Sequence, residues 1–360
     1  MTDTANSPYR GAPGRTFWKR AVTGRQPSEL TELFDRKFDI NPETLIATSG
    51  SCFAQHIARH MRRRQFNVLD AEPTPKFMSP ATAEKYGFGI YSARFGNIYY
   101  VRQLLQLARE ALQEQSPTDI AWQGPGGRWW DSQRPGVEPE GLASPEHVLR
   151  HRAQHLTGVK RVFTEAEVLV FTMGLTEGWE HRDGTVYPTA PGTIAGSFDP
   201  NCHGFHNFSV GEIVADFSEF RSLVQEFNPE IKFLLTVSPV PLAATAADTH
   251  VLPATIYSKS VLRAAAGELA HTHSDIAYFP SYELVTANYT PTENFDATGR
   301  GVLLETVAMV MEHFFEEGTD GAEKTRPEPA TTVPDTSHET GINDEDPVMC
   351  EEALLEAFGE

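Results

Sequence analysis

Hydrophobic positions along this chain form short runs that alternate with longer amphipathic segments. Four runs have the length of buried strands, namely residues 45–48, 168–172, 233–237 and 276–279. Apolar residues recur with helical spacing in residues 53–65, 98–115, 145–159, 210–227, 254–273 and 298–315. Residues 180–208, which include three histidines, are predicted to form a long loop. Strands that alternate with helices of this length are typical of a parallel sheet covered on both faces. We therefore expect an α/β fold, a three-layer α/β/α sandwich with a central parallel sheet.

Composition divides the chain into three parts. Residues 1–16 are polar and rich in Gly and Pro, which predicts a flexible N-terminus, and residues 17–315 carry the periodic pattern of one domain. Residues 316–360 hold 14 acidic and two basic residues, and so carry −12 of the formal charge of −19. This composition predicts an acidic, mostly disordered tail. An amphipathic segment at 348–358 is either a frayed end or a docking segment for a protein partner.

The charge and the cysteines narrow the class of protein. Residues 1–315 are only mildly acidic, which does not favour nucleic acid, because that partner requires clustered Lys and Arg. No apolar run approaches the roughly 20 residues that span a membrane, and no secretory signal is recognisable. Three cysteines are too few for a disulfide scaffold, so we expect a cytoplasmic protein. Cysteine spacing and glycine pattern match neither a zinc nor a nucleotide site, and we predict no metal and no cofactor.

The most informative stretch follows the first predicted strand and reads Gly50-Ser51-Cys52-Phe53-Ala54. A serine on a sharp strand-to-helix turn can act as a nucleophile, because the turn lifts its side chain out of the sheet. The alternative is that Ser51 caps the helix N-terminus. Cys52 is the rival nucleophile, since a helix N-terminus lowers thiol pKa values, or else it is a small buried residue.

This pentapeptide resembles the signature of the GSCFA family, which is itself similar to the SGNH (GDSL-type) esterases and acyltransferases. The resemblance implies that Ser51 is the nucleophile. It also implies that two further segments supply oxyanion or substrate contacts, and their residues are Gly96, Asn97, Gly174, Thr176 and Glu177. Without the resemblance, Gly96 is a turn glycine, and Thr176 and Glu177 start or cap a short helix.

The catalytic base departs from the SGNH pattern. SGNH enzymes carry Asp-x-x-His before the last helix, whereas here Asp296 stands where the histidine would be. A carboxylate is a poor base for a serine hydroxyl unless its pKa is raised, so a histidine must come from elsewhere. His250 is the first choice, with Glu283 to orient its imidazole, and His206 is the second. Asp296 remains an alternative catalytic residue.

The resemblance therefore predicts an SGNH-like hydrolase or acyltransferase that acts on an ester, either an acyl or an O-acetyl group on a small molecule or a carbohydrate. An insertion at residues 116–142 contains Trp122, Trp129 and Trp130, which suit a sugar or an acyl chain unless they pack beneath the loop. The alternative function is a non-catalytic binding protein that retains the fold.

Overall fold

The computed structural model describes residues 7–287, 293–315, 351 and 354–355. The strands are β1 (Ile46–Gly50), β2 (Ala121–Gln123), β3 (Trp129–Asp131), β4 (Val168–Met173), β5 (Glu177–His181), β6 (Val186–Tyr187), β7 (His203–Asn207), β8 (Lys232–Val237) and β9 (Ile276–Tyr278). The helices are α1 (Trp18–Ala21), α2 (Ala54–Arg63), α3 (Pro80–Lys85), α4 (Val101–Gln113), α5 (Pro145–Glu165), α6 (Val210–Phe227), α7 (Val251–Thr272), α8 (Ser281–Thr286) and α9 (Leu304–Phe315).

The central sheet is parallel and has the strand order β1-β4-β8-β9. All four apolar runs predicted as strands lie in it, which confirms the α/β fold class. Two antiparallel sheets are added to it, the pair β2-β3 and the triplet β6-β5-β7. The triplet occupies a region, residues 180–208, that the sequence predicts as loop, and that prediction was wrong. Its strands are short and carry histidines and glycines, so their apolar alternation is weak.

Alternate residues of the sheet pack against helices on opposite faces, as the period of a strand requires. Leu169 and Phe171 of β4 lie in one apolar cluster with side chains of α4, α5, α6 and α7. Val168 and Val170 lie in a second cluster with side chains of α2, α8 and α9. The molecule therefore has the expected three layers.

The direction of winding reverses at β1. On one side β1 pairs with β4, and on the other Ile46 forms a parallel bridge with Val68. Helix α2, which leads from β1 towards Val68, packs on the opposite face from α6, which leads from β4 to β8. Such a reversal opens a crevice at the carboxyl ends of the strands, where open α/β sheets bind ligands. The residues that follow β1 and β4 line this crevice.

Helix boundaries depart from the sequence pattern most strongly near the C-terminus. The last helix was expected from residue 298 and begins at Leu304. Asp296 accepts hydrogen bonds from the backbone N–H groups of Thr298 and Gly301, and Gly299 has a φ of +72°. The carboxylate thus stabilises a turn in place of the first helical turn. Most of the segment predicted as a C-terminal helix, and the disorder predicted for the tail, lie outside the described residues.

Candidate functional site

Gly50 permits the tight turn that ends β1. Its φ of +132° is one that residues with a side chain rarely adopt. A Cβ placed on it would lie 2.6 Å from the backbone nitrogen of Thr172 in the neighbouring strand. The next residue, Ser51, donates its N–H to the Thr172 carbonyl at 3.0 Å. A glycine is therefore required to hold Ser51 at the carboxyl end of the sheet.

The Ser51 hydroxyl is buried and has no hydrogen-bond partner within the described ranges. The residue is 2% exposed, and its neighbour Cys52 is buried as well. Helix α2 has Phe53 at its N-cap position and no side-chain cap, so the interpretation of Ser51 as a helix cap is wrong. An unpaired buried hydroxyl costs about 1–3 kcal/mol and needs an explanation other than stability.

A buried loop between α3 and α4 supplies amide and phenol groups beside Ser51. Tyr91 donates its hydroxyl hydrogen either to the Ser51 carbonyl at 3.1 Å or to the Asn97 amide oxygen at 2.6 Å. The Asn97 side-chain N–H faces the Tyr99 hydroxyl at 3.3 Å and also bonds the Glu351 carboxylate. The Tyr99 hydroxyl donates to the same carboxylate oxygen at 2.7 Å. Asn97 and Tyr99 thus place two donors on one negatively charged oxygen.

Gly174, the first residue after β4, packs against the Ser51 side chain. A Cβ on it would lie 2.8 Å from the Ser51 Cβ, and its N–H donates to the Tyr99 carbonyl at 2.9 Å. Its own carbonyl accepts from the buried ammonium of Lys259 on α7. Gly174 therefore brings Lys259 to the side of the crevice where Ser51 lies.

Glu177 is the first residue of β5 and Thr176 directly precedes it, so the expectation that the two start or cap a short helix was wrong. The Thr176 N–H donates to Ser258 Oγ at 3.0 Å, and its hydroxyl donates to Asn207 Oδ1 at 2.6 Å. The Glu177 carboxylate accepts from the hydroxyl of Thr245 at 2.7 Å. Glu177 lines the cavity beside the crevice, whereas Thr176 is buried, and the polar groups of both residues are engaged.

Gly96 lies in a turn with a φ of +67°, ahead of the donors Asn97 and Tyr99. A Cβ on it would lie 3.4 Å from the Arg134 Cβ. This geometry agrees with the interpretation of Gly96 as a turn glycine.

His250 and Glu283, predicted as base and orienting acid, make their hydrogen bonds to other groups. His250 is exposed at the N-cap of α7, where its Nδ1 accepts the Leu252 N–H at 3.1 Å. Nine residues, or about 13 Å of helix, separate it from Lys259. Glu283 binds Arg263 and accepts the Tyr278 hydroxyl hydrogen at 2.8 Å. The structure does not bring this pair together.

His206 and Asp296 also lie in other environments. His206 has its Nδ1 at 3.1 Å from Glu180 and its Nε2 at 2.8 Å from Glu212. Asp296 lies in the exposed turn before α9, where hydrogen bonds from Thr298, first its hydroxyl, lower the pKa of the carboxyl. Neither side chain bonds the Ser51 hydroxyl.

A cavity of about 150 Å³ adjoins the crevice, and Glu177, Glu351 and Leu355 are among the residues that line it. Its aromatic lining residues are Trp179 and Phe205. Trp122 and Trp130 instead pack in a buried cluster with Tyr187, so these two tryptophans lie beneath the surface of the insertion.

A network of buried charges supports the loop that carries Asn97 and Tyr99. Glu72 accepts the Arg94 backbone N–H at 2.6 Å and bonds His155 Nδ1 at 2.6 Å, and Arg134 donates to the Arg94 carbonyl at 3.1 Å. Burial opposes ionisation of Glu72, but His155, Arg134 and the Arg94 N–H outweigh it and lower its pKa to about 2. Burial, then the charge of Arg134, lowers the pKa of His155 to about 4.

The sequence interpretation missed Tyr91, Tyr99, Lys259 and Glu351. The first two lie near the predicted Gly96 and Asn97, so the loop itself was a usable signal. Lys259 follows the polar end of the third strand by about twenty residues, and no spacing rule connects it to Ser51. Glu351 is 300 residues away from Ser51 along the chain.

The described residues form no group of His, Cys, Asp or Glu side chains arranged to hold a metal ion. Within the same ranges, every helix is too short or too polar to cross a membrane. The sequence model of the GSCFA family matches residues 45–314, which include the whole crevice except Glu351 and Leu355. No curated protein matches the chain.

Proposed function

The chain belongs to the GSCFA family, and we propose that it is an SGNH-like hydrolase or acyltransferase that uses Ser51 to attack an ester. The observation that carries the proposal is the Ser51 hydroxyl, which is held by an obligatory glycine turn at the reversal of the sheet. It neither caps a helix nor bonds another described side chain. Such a hydroxyl contributes little to stability, which favours a chemical role.

In this mechanism the Ser51 oxygen attacks the ester carbonyl carbon, and the carbonyl oxygen becomes an alkoxide. The alkoxide collapses to an acyl-serine as the alcohol leaves with a proton, and an acceptor hydroxyl then releases the acyl group. Asn97 and Tyr99 are suited to stabilise the alkoxide, because both already donate to one carboxylate oxygen. Each such donor is typically worth a factor of about 10² to 10³ in turnover. Water as acceptor gives an esterase, and a sugar hydroxyl gives an acyltransferase.

The proposal has two candidates for the base. His250, with Glu283 behind it, must leave its capping position to reach Ser51. Lys259 is the alternative, because its ammonium already lies on the Gly174 carbonyl and Gly174 packs against Ser51. Its deprotonation would be required before it could accept a proton.

A fluorophosphonate probe tests the nucleophile, because it modifies activated serines covalently. We expect labelling of the wild-type chain and none of Ser51→Ala. Ser49→Ala is the matched control, since it removes another buried, unpartnered hydroxyl two residues earlier. Equal labelling of wild type and Ser51→Ala would refute the role of Ser51. Alkylation of Cys52 by iodoacetamide, with no reaction at Ser51, would transfer the role to the thiol.

The same probe separates the two bases. If His250 is the base, His250→Ala lowers the labelling rate by about 10² or more, while Lys259→Met leaves it within a few-fold of wild type. The reverse pattern assigns the proton to Lys259. Mass spectrometry of the labelled peptide gives the rate at Ser51 directly.

A non-catalytic binding protein is the second candidate function. This function is favoured by the hydrogen bonding of three backbone N–H groups near the crevice. The N–H groups of Ser51, Gly174 and Thr176 all donate to other protein groups. A substrate ester that binds without turnover in the wild-type chain would support it. A cytoplasmic location and a small-molecule or carbohydrate ligand remain part of either proposal.

A further inference from the structure

The acidic C-terminal segment returns to the crevice through Glu351. This residue lies 36 positions beyond the end of α9, yet it is only 8% exposed. Its carboxylate accepts from Asn97 and from the Tyr99 hydroxyl, and its own N–H donates to the Tyr99 oxygen at 3.2 Å. A buried carboxylate is tolerated only where such donors replace water. Glu351 is therefore bound specifically, by side chain and backbone together.

The wall of the crevice is shaped to admit this carboxylate. Gly136 faces Glu351, and a Cβ on it would lie 3.1 Å from the Glu351 Cδ and overlap one carboxylate oxygen. Leu355, four residues further along the chain, lines the same cavity as Leu175, Trp179 and Phe205. The pocket thus offers a polar end for an acid and an apolar end for a side chain four residues later.

We propose that the segment of Glu351 and Leu355 is an intramolecular inhibitor that occupies the subsite for the charged oxygen of the ligand. The identity of the inhibited reaction rests on the proposed function. The docking of the segment does not, because it is independent of any chemistry at Ser51. Two donors on one oxygen are the arrangement that stabilises an oxyanion in acyl transfer. While Glu351 holds them, a substrate carbonyl cannot.

Tethering makes this inhibition effective even if the segment binds weakly. A segment joined covalently to its site has an effective concentration on the order of millimolar. A free ligand for the same subsite must compete with that concentration. Displacement of the segment, by a partner or by a change in its charge, would then raise the apparent affinity for ligand.

Peptide binding to the full-length chain tests the docking. The probe is a fluorescent synthetic peptide of residues 351–360, acetylated so that the Glu351 N–H remains an amide donor. The host is the full chain with Glu351→Lys and Leu355→Asp, which removes both side chains that hold the segment in the crevice. Both positions lie outside the region that matches the family model. The control host is Glu230→Gln, which makes the same net charge change of +1 at an exposed residue. We expect fluorescence anisotropy to give a Kd about 10- to 100-fold lower for the double variant than for wild type or control.

Equal Kd values for the double variant and the wild type would overturn the proposal. So would unchanged binding of a peptide that carries Glu351→Lys. Fluorophosphonate labelling of Ser51 is measured on the same proteins and should rise about tenfold in the double variant if the segment blocks the crevice. A third outcome is a lower Kd of the peptide for the double variant, with no fluorophosphonate labelling in any of these proteins. That result would support the docking of the segment but refute the serine mechanism, and with it the inhibitory role.

Discussion

Two clusters of buried polar groups lie on either side of the loop that carries Asn97, and they differ in how their groups are paired. In the ionic cluster, Arg152 binds Glu110 and lies 3.5 Å from Asp131, which Arg134 also contacts at 2.8 Å. In β1, in β4 and directly after β1, by contrast, the hydroxyls of Thr48, Ser49, Ser51 and Thr172 are buried without a partner in the described ranges. Of the four, Ser51 is the one that follows the carboxyl end of its strand, where the crevice lies. A paired cluster holds the fold together, and an unpaired one is available for a ligand.

The largest expected effect comes from the paired side. Arg152→Ala leaves the carboxylates of Glu110 and Asp131 buried without this partner, and we expect it to lower the free energy of unfolding by about 3–5 kcal/mol. Arg161→Ala on the same helix is the control, because its pair with Glu165 is exposed and such pairs contribute at most about 1 kcal/mol. Urea denaturation measures both. Similar losses for the two variants would mean that the ionic cluster does not hold the fold together.

The second-largest effect is expected from acid, which should weaken the buried charges on the same side of the loop. The pKa of His155 is about 4 in the folded chain and about 6.5 when unfolded. The unfolded state therefore takes up the proton first as the pH falls, so this stabilisation is present above pH 6.5 and is lost down to pH 4. At about 1.4 kcal/mol per pKa unit, the loss is on the order of 3 kcal/mol. Glu72, with its pKa near 2, extends the loss below its unfolded value of 4.5.

His155→Gln checks this assignment, since glutamine keeps an N–H for Glu72 but does not titrate. The free energy of unfolding, measured in urea at pH 7, 6, 5 and 4, should fall less for the variant than for the wild type. Parallel curves would show that His155 is not the group that titrates.

The smallest effect is expected in the crevice. Ser51→Ala removes a hydroxyl with no partner, so the free energy of unfolding should stay within about 1 kcal/mol of wild type or rise. Loss of fluorophosphonate labelling without loss of stability would separate chemistry from folding. A destabilisation of 3 kcal/mol or more would instead indicate that Ser51 belongs to the structural framework.

Regular structure was predictable where a local pattern decides it. The apolar runs of the four parallel strands and the GSCFA turn each consist of residues that are contiguous in sequence. A side chain at Gly50 would be strained by the turn itself and would clash with the adjacent strand. The final helix was mispredicted at its start because the Asp296 side chain competes for backbone N–H groups, and a hydrophobic period does not report that competition.

By itself, the sequence determined the layers of this protein and the position of one hydroxyl at the end of β1, because strand length, glycine and alternation act over a few residues. Only the tertiary structure decided which groups surround that hydroxyl. His250 and Glu283 were chosen by type and order, but the packing of α7 and α8 assigns them other partners. Asn97, Tyr99 and Glu351 meet because the chain folds back over 250 residues, and the contacts that hold them together depend on distance in space rather than on separation in sequence.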